Sequence, residues 1–314
     1  MKQKYNILVT GCGGDIGQSI GKILKSNPLF DHVIGCDLSN ENASKFIFDQ
    51  VLIIPSCVSS NYLRVLEEIT LKCHIDIILP ISEAELRYIA DCKIENTFLS
   101  KNLICANHKA MFVGFDKYET ADFLRKANLP YPITNIINDI EIVDFPCILK
   151  SRNGSGSKSV FIINDQRDFD YYRHKYPEFI IQQFLDNDSE EYTCGLYRAK
   201  NNEIRTITYK RKLMGGFSGF GSVVQNEMID ALLIEIATQI NLIGSINVQL
   251  RLANNVPYVF EINPRFSSTV AFRHLMGFED VIWSIQDALG LTLSCYTKVK
   301  EGTKFYKGFN EYID

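Results

Sequence analysis

The sequence predicts a chain of two textures: an α/β unit with a parallel sheet over roughly its first 110 residues, then an α+β part with mostly antiparallel strands. Three observations predict it. Up to about residue 110, short apolar runs alternate with amphipathic helical patterns, as parallel strands covered on both faces require. A glycine turn, "VTGCGGDIGQSIG" from Val9 to Gly21, follows the first apolar run and opens a helical one. Further on, strand-length runs follow one another across turns rich in glycine, serine and asparagine, with one long helical pattern among them.

Taken in order, "NILVTG" reads as a strand, "DIGQSIGKILKSN" as a helix, and "HVIGCDL" as a strand ending near Asp37. "FDQVLIIP" is a short strand, "NYLRVLEEITLKC" a helix, and "IDIILPIS" a buried strand. The helix "EAELRYIADCKIENTF" and the strand "NLICA" complete a small Rossmann-like domain. "DKYETADFLRKANLPYP" is a helix closed by a proline turn, and "FPCILKS" and "VFIIND" are strands around a Gly/Ser loop. "FIIQQFLD", "EEYTCGLYRA" and "EIRTITYKRKLMGG" continue an antiparallel pattern, "NEMIDALLIEIATQINL" is a long amphipathic helix, and "SINVQLRLANNVPYVFEINPRF" is strand–turn–strand.

Bulk properties narrow the function. With 314 residues, 46% hydrophobic and 22% charged, the chain has the composition of an ordinary globular protein large enough for two or three packed units. A net charge of −4, with no basic cluster beyond Lys210-Arg211-Lys212, argues against a nucleic-acid partner. No apolar run approaches the roughly 18 residues of a membrane span. "MKQKYNILVTG" passes straight into a strand without a signal peptide, so a cytoplasmic location is expected. The nine cysteines contain no C-x-x-C and the five histidines no H-x-x-H, so free thiols are expected, and neither residue type forms a metal site.

Gly11, Gly14 and Gly17 have the spacing of a dinucleotide-binding turn, Asp37 stands where a ribose ligand would, and Tyr171 and Lys175 form a Y-x-x-x-K pair. An NAD-dependent epimerase or dehydrogenase is therefore one reading. Against it, the parallel pattern stops near residue 110, Tyr171 and Lys175 lie in a short polar segment stopped by Pro177, and the second half stays unexplained. The plainer reading is a tight strand-to-helix turn that needs glycine for close packing.

The second half carries more chemistry. In "CILKSRNGSGSKSVFII" a strand ends in Lys150 and a flexible loop follows, whose backbone N–H groups can fold over phosphate oxygens beside the lysine charge. It is not a Walker A loop, because no G-K-[ST] precedes a helix. In "SINVQLRLANNVPYVFEINPRFSS", Gln249 lies on one strand while Glu261 and Asn263, two apart on the next, share a face. Converging oxygen donors of this kind suit Mg²⁺ completed by phosphate oxygens. Arg265, two residues on, points toward the same pocket. A carboxylate inside "YVFEI" is costly unless it is paired.

Lys117 before a helix, the Lys150 hairpin with its glycine loop, and the closing "FEINPR" together resemble the ATP-grasp superfamily, in particular its carbamoyl-phosphate-synthase large-chain branch. The resemblance spans essentially the whole chain. It implies a Rossmann-like pre-ATP-grasp domain over 1–112, a small lobe with a glycine-rich lid over 113–180, and a large lobe with the metal site over 181–314. It also implies that Lys117 and Lys150 contact the ATP phosphates, with Gly154, Ser155, Gly156 and Ser157 in the lid. Gln182, Gln183, Phe184 and Leu185 match the strand that meets adenine, although the family usually has Glu at one of the two glutamines. Glu191 matches the ribose ligand, with Glu190 competing; Gln249, Glu261 and Asn263 match the metal ligands; Arg265 matches the arginine on the transferred phosphoryl group, and Lys150 shares the catalytic role.

The implied activity is a Mg²⁺-dependent (or Mn²⁺-dependent) carboxylate–amine ligation through an acyl phosphate, releasing ADP and phosphate. The chain has one ATP-grasp half and no glutaminase, so a single-step ligase fits better than carbamoyl phosphate synthesis. Expected partners are a small-molecule carboxylate and an amine, with a homodimer left open. Glu83, Arg211, Arg265, Ser267 and Ser268 are the substrate-binding candidates, and Lys210 and Lys212 compete with Arg211. "MGGFSGFGS" is expected to be mobile and to close over substrate. A nucleotide-binding protein without turnover remains a further alternative.

Overall fold

A computed structural model describes residues 3–94, 97–154, 159–185, 190–214, 217–308 and 310–313. The first unit runs β1 (Tyr5–Thr10), α1 (Asp15–Lys25), β2 (Phe30–Asp37), β3 (Gln50–Ile53), α2 (Tyr62–Lys72), β4 (Ile77–Leu79), α3 (Glu83–Asp91), β5 (Thr97–Phe98) and β6 (Lys101–Leu103). Its sheet has the order β3-β2-β1-β4-β6-β5, parallel except for the β5–β6 hairpin at the edge. Ile7, Leu8 and Val9 on the central strand are wholly buried, which is why that strand reads as a continuous apolar run.

The glycine turn is steric. Gly11 has φ +65°, and a Cβ on Gly17 would lie 2.4 Å from the Gly11 carbonyl oxygen, so α1 packs against β1 only without a side chain there. Gly17→Ala is expected to cost about 1–3 kcal/mol of stability, read as a lowered denaturant midpoint at unchanged slope. An unchanged midpoint would mean that the turn relaxes freely.

Two helices differ from expectation. The helix expected to run from Glu83 to Phe98 stops at Asp91, and β5 follows. Between the units lies α4 (His108–Phe115): Ala110, Met111, Val113 and Phe115 join the core of the second half, and its outward face carries Phe112, 60% exposed, so no continuous polar stripe marks it.

The second half begins with α5 (Lys117–Lys126) and β7 (Thr134–Ile136), β8 (Cys147–Lys150) and β9 (Val160–Ile163), then α6 (Gln166–Lys175) and β10 (Ile180–Gln183). These strands form an antiparallel sheet of order β7-β10-β8-β9, so that sheet runs through Gln183. The short polar segment around Tyr171, to which the sequence pattern assigns no element, is α6, capped by Asp165 and anchored through buried Phe169.

The last sheet is built from β11 (Glu190–Arg198), β12 (Ile204–Met214), β13 (Phe217–Val224), β14 (Gly244–Ala253) and β15 (Val256–Asn263), with α7 (Glu227–Gln239) on one face. After it come α8 (Val270–Leu275), α9 (Asp280–Ala288) and the short edge strand β16 (Lys304–Tyr306). The order is β15-β14-β11-β12-β13-β16, antiparallel throughout the described pairings. The described part of "MGGFSGFGS" is not a loose flap: Ser218 to Ser222 pair in β13, and a Cβ on Gly221 would lie 2.5 Å from the Phe305 ring. Val270, Val281, Ile282 and Ile285 from α8 and α9 pack with Ile20 and Val9, which joins the large lobe to the first unit.

Candidate active site

The three sheets meet around a cleft of about 1140 Å³. Lys117, Lys150, Gly154, Gln182, Gln183, Phe184, Leu185, Glu191, Arg211, Gln249, Glu261, Asn263, Arg265, Ser267, Ser268 and Glu83 all line it. Ser155, Gly156 and Ser157 lie outside the described residues.

Lys117 is the first residue of α5, and Asp116 is its N-cap, accepting from the Tyr118 N–H at 2.8 Å. Arg152 forks onto the same carboxylate at 2.7–3.2 Å and stacks over Tyr118, while its carbonyl accepts from the Lys117 N–H at 3.0 Å. This latch ties the start of the glycine loop to the helix that carries Lys117. The Lys117 ammonium reaches the Gly154 carbonyl at 2.8 Å and the Glu261 carboxylate at 3.7 Å.

Lys150 ends β8 and is buried, its ammonium 3.3 Å from the Phe260 carbonyl. Burial pushes its pKa down to about 8; the Glu261 carboxylate pulls it back up, Lys117 pushes it further down, and Glu191 raises it. With the folded value below the ordinary one, the charged form is lost as pH rises through about 8, whereas an unfolded lysine stays charged to higher pH. Anion affinity of the cleft is therefore expected to fall above pH 8, and binding near that pH should take up protons. Calorimetry of ADP in buffers of different ionisation heat checks this. Affinity flat from pH 7 to 9.5 would exclude Lys150 as the anion ligand.

Gln249 on β14 stands directly opposite Glu261 on β15, and Asn247 opposite Asn263. Pairing register thus brings an amide and a carboxylate from adjacent strands to one point, with Asn263 next on the same face. Arg211 donates to the Gln249 side-chain oxygen at 2.9 Å and to Glu191 at 2.7 Å. Arg251 holds the other Glu191 oxygen at 3.3 Å. Strand alternation separates the competing neighbours. Glu191 and Arg211 face the cleft, whereas Glu190 and Lys210 pair with each other on the exposed side and Lys212 is exposed.

Arg265 sits after β15, donating to the Phe266 carbonyl at 3.1 Å. Burial pushes its guanidinium below its ordinary range, while Glu83 and Glu261 on either side favour the charge. Glu83 begins α3 and is clasped by Arg87 at 2.8 Å, which fixes its carboxylate at the cleft wall. The buried Ser267 hydroxyl is 2.7 Å from that of Thr269 and accepts from Arg273 at 3.0 Å. Arg273, wholly buried, also donates to Asn247 and pairs with buried Asp280 at 3.0 Å.

Several of these residues escaped the sequence. Asp116 was readable as an N-cap before a helical pattern, but its partner Arg152 lies 36 positions away. Arg273 gave no signal, because its partners lie on three other segments. The candidate dinucleotide residues do not assemble. The Asp37 carboxylate accepts from the Gly13 N–H at 2.7 Å and from the Leu38 N–H at 2.7 Å, so it braces the turn. Tyr171 and Lys175 bond each other at 3.2 Å on exposed α6, and neither is among the residues lining the cleft.

Residues 115–269 match the model of the ATP-grasp domain, and residues 7–104 that of the PylC-like N-terminal domain. The carbamoyl phosphate synthase large chain of Campylobacter jejuni is 23% identical over 236 residues, 66% of this chain and 21% of that protein. The chain thus spans about a fifth of that relative's length. An uncharacterised Mycoplasma genitalium protein is 29% identical over 148 residues, 44% of this chain and 50% of that one.

Among solved structures, N5-carboxyaminoimidazole synthetase from Staphylococcus aureus with ADP superposes with a TM-score of 0.73 at 18% identity, covering 98% of this chain and 81% of that one. The biotin carboxylase domain of Hydrogenobacter thermophilus 2-oxoglutarate carboxylase gives 0.76 at 14% identity, covering 96% and 74%. With both family models in sequence order along the chain, this protein carries a PylC-like N-terminal domain followed by an ATP-grasp domain and belongs to the ATP-grasp family.

Proposed function

We propose that the protein joins a carboxylate to an amine at the expense of ATP. A carboxylate oxygen attacks the γ-phosphorus and the β–γ bridging oxygen leaves with ADP; the amine then attacks the acyl carbon and phosphate departs with that carboxylate oxygen. One observation carries this reading. Two lysines, the start of the glycine loop, a carboxylate–amide pair and a buried arginine converge on one cleft from helix α5 and the two antiparallel sheets. No covalent nucleophile is needed, since positioning and charge neutralisation suffice for phosphoryl transfer.

In this reading Lys117 and Lys150 hold the phosphates, and residues 154–157 cover them. Gln182 to Leu185 receive the base. Glu191 receives the ribose by exchanging its arginine partners. Arg265 takes the charge that develops on the transferred phosphoryl group, Glu83 orients the amine, and Arg211, Ser267 and Ser268 contact the carboxylate substrate.

Among the described residues no three His, Cys, Asp or Glu side chains form a metal site. Glu261 and Asn263 nevertheless present hard oxygen donors on one face, a set that fits Mg²⁺ (or Mn²⁺) shared with nucleotide phosphates, with Gln249 joining once Arg211 lets go. The ion would neutralise charge at the β/γ junction. We assign the protein to the cytoplasm, allow a homodimer, and propose the division 1–112, 113–183 and 184–314, with the second boundary moved from 180 past the end of β10. No described helix is long and apolar enough to cross a membrane.

The test is ADP release against a panel of carboxylates and amines, followed by ¹⁸O labelling of the active carboxylate. ADP and phosphate carrying one label are expected. AMP, or phosphate free of label, would overturn the reading, and NAD affinity abolished by Gly14→Val would revive the hydride reading.

A further inference from the structure

Arg273, on α8, is wholly buried and is not among the residues that line the cleft. Its guanidinium nevertheless reaches two that are. Nη2 donates to Asn247 and, at 3.0 Å, to Ser267, while Nη1 pairs with Asp280 at 3.0 Å. The sequence makes room for it in the middle of β11. A Cβ on Gly195, the residue paired with Asn247, would lie 2.8 Å from Nε and 2.9 Å from Cζ. Burying a guanidinium costs free energy even when it is paired, so its grip on the cleft wall calls for a role beyond stability.

That grip fixes which end of Asn247 meets the cleft. A guanidinium only donates, so the Asn247 atom that faces Arg273 is the oxygen. The Thr193 hydroxyl donates to the same oxygen at 3.0 Å. With Oδ1 met twice, Nδ2 is the end left for a ligand, and among the described residues nothing accepts from it. Asn247 is 1% exposed and lines the cleft, two residues from Gln249 on one face of β14 and opposite Asn263 on β15. The two asparagines therefore differ in what they offer. Asn263 can turn an oxygen to a cation, whereas Asn247 has only N–H donors left, which suit an anionic oxygen.

We propose that Arg273, paired with Asp280, is a positioning residue for ligation: it orients Asn247 so that Nδ2 donates to the oxygens of the phosphoryl group in transfer. The inference rests on the ligase reading of the cleft. Without Arg273 the amide keeps only the Thr193 hydroxyl, which accepts as readily as it donates, so Oδ1 and Nδ2 can exchange places. An oxygen turned to the phosphoryl group then opposes its charge.

The experiment measures by calorimetry the affinity of ADP with Mg²⁺, alone and with aluminium fluoride as a stand-in for the phosphoryl group in transfer. The native protein should hold ADP more tightly with the fluoride. Asn247→Ala should reduce that gain roughly tenfold or more, the worth of one hydrogen bond to a charged group, while binding ADP alone as before. Asn247→Asp, which keeps the bond to Arg273 but turns a carboxylate oxygen to the phosphoryl group, should abolish the gain. The double change Arg273→Met with Asp280→Leu removes the lock without stranding a charge and should reduce the gain as Asn247→Ala does. Combined with Asn247→Ala it should reduce it no further, because Arg273 acts through Asn247, whereas a packing role would add its own loss. Gly195→Ala, whose methyl group crowds Nε and leaves both charges in place, should act like the double change and decides if that one fails to fold. A gain of native size in Asn247→Ala or in the folded Arg273 or Gly195 variant, or losses that add, would overturn the inference and leave the nucleotide reading standing. A native protein that binds ADP but gains nothing from the fluoride would overturn it as well, and one that binds no ADP would overturn both.

Discussion

Glu261→Gln is expected to lower turnover by roughly a thousandfold or more, at the upper end of what one preorganised electrostatic group contributes, while the protein stays folded. The substitution keeps the shape of the side chain and removes its charge. The carboxylate faces the Lys117 ammonium at 3.7 Å and stands opposite Gln249, so its loss leaves two lysines and an arginine with less counter-charge. A second consequence separates this role from mere packing. The Glu261 charge is the larger of the two, with Glu191, that raise the Lys150 pKa against burial, so without it Lys150 should lose its proton at lower pH. The pH at which ADP affinity falls should accordingly shift downward from about 8. Steady-state rates with the identified substrates and calorimetry across pH check both parts. Near-native turnover would remove Glu261 from the phosphoryl-transfer site.

The largest expected loss of stability is in Asp280→Ala, about 3–5 kcal/mol, because it strands a guanidinium that no water reaches. Arg273 is 0% exposed and Asp280 1%, and the pair also gathers Ser245, Asn247 and Ser267. Arg273 Nε and Asp280 Oδ1 have no hydrogen-bond partner, so the network has little to spare. A cavity on Asp280 should lower the thermal midpoint sharply, whereas the double change Arg273→Met with Asp280→Leu should recover much of the loss, since removing both charges removes the desolvation cost. Midpoints of the single and double variants measure this. A double variant as unstable as Asp280→Ala would mean that the hydrogen bonds to Asn247 and Ser267 matter more than the buried charge. Activity in a stable double variant would then report how far Ser267 depends on Arg273 for its place in the cleft.

Much of the molecule was legible before any coordinates. The strands of the first unit announce themselves, because a parallel strand buried on both faces must be apolar, and "ILV" from Ile7 to Val9 obeys. Glu261 and Asn263 were legible for the converse reason: a carboxylate in an apolar strand is tolerated only where something pays attention to its charge. Period-two alternation put those two on one face, and the "FEINPR" run carried the family. Helix α4 was hidden because its outward face carries an exposed Phe112 where a polar residue would mark a surface helix, so no continuous polar stripe shows. Helix α6 was hidden for the opposite reason: "QRDFDYYRHK" is so polar that only Phe169 is buried, and its Asp165 cap is the main local sign of it.

What the sequence by itself determined, then, is the kind of chain and the kind of chemistry: periodicity and residue type are local properties, set within a few positions. What only the tertiary structure decided is which groups meet. Glu191 rather than Glu190 faces the cleft, and Arg211 rather than Lys210 or Lys212, because the side a strand presents depends on the sheet it joins. Gln249 meets Glu261, Arg152 latches Asp116, Thr134 turns Gln182, and Arg273 carries Ser267, across separations from 6 to 48 residues. Such contacts arise from register and packing, which bring distant segments together. Asp37 shows the same thing from the other side. Its spacing from the glycine turn suggested a ribose ligand, but the folded chain uses both its oxygens on backbone N–H groups, which would otherwise go unmet where the turn tightens.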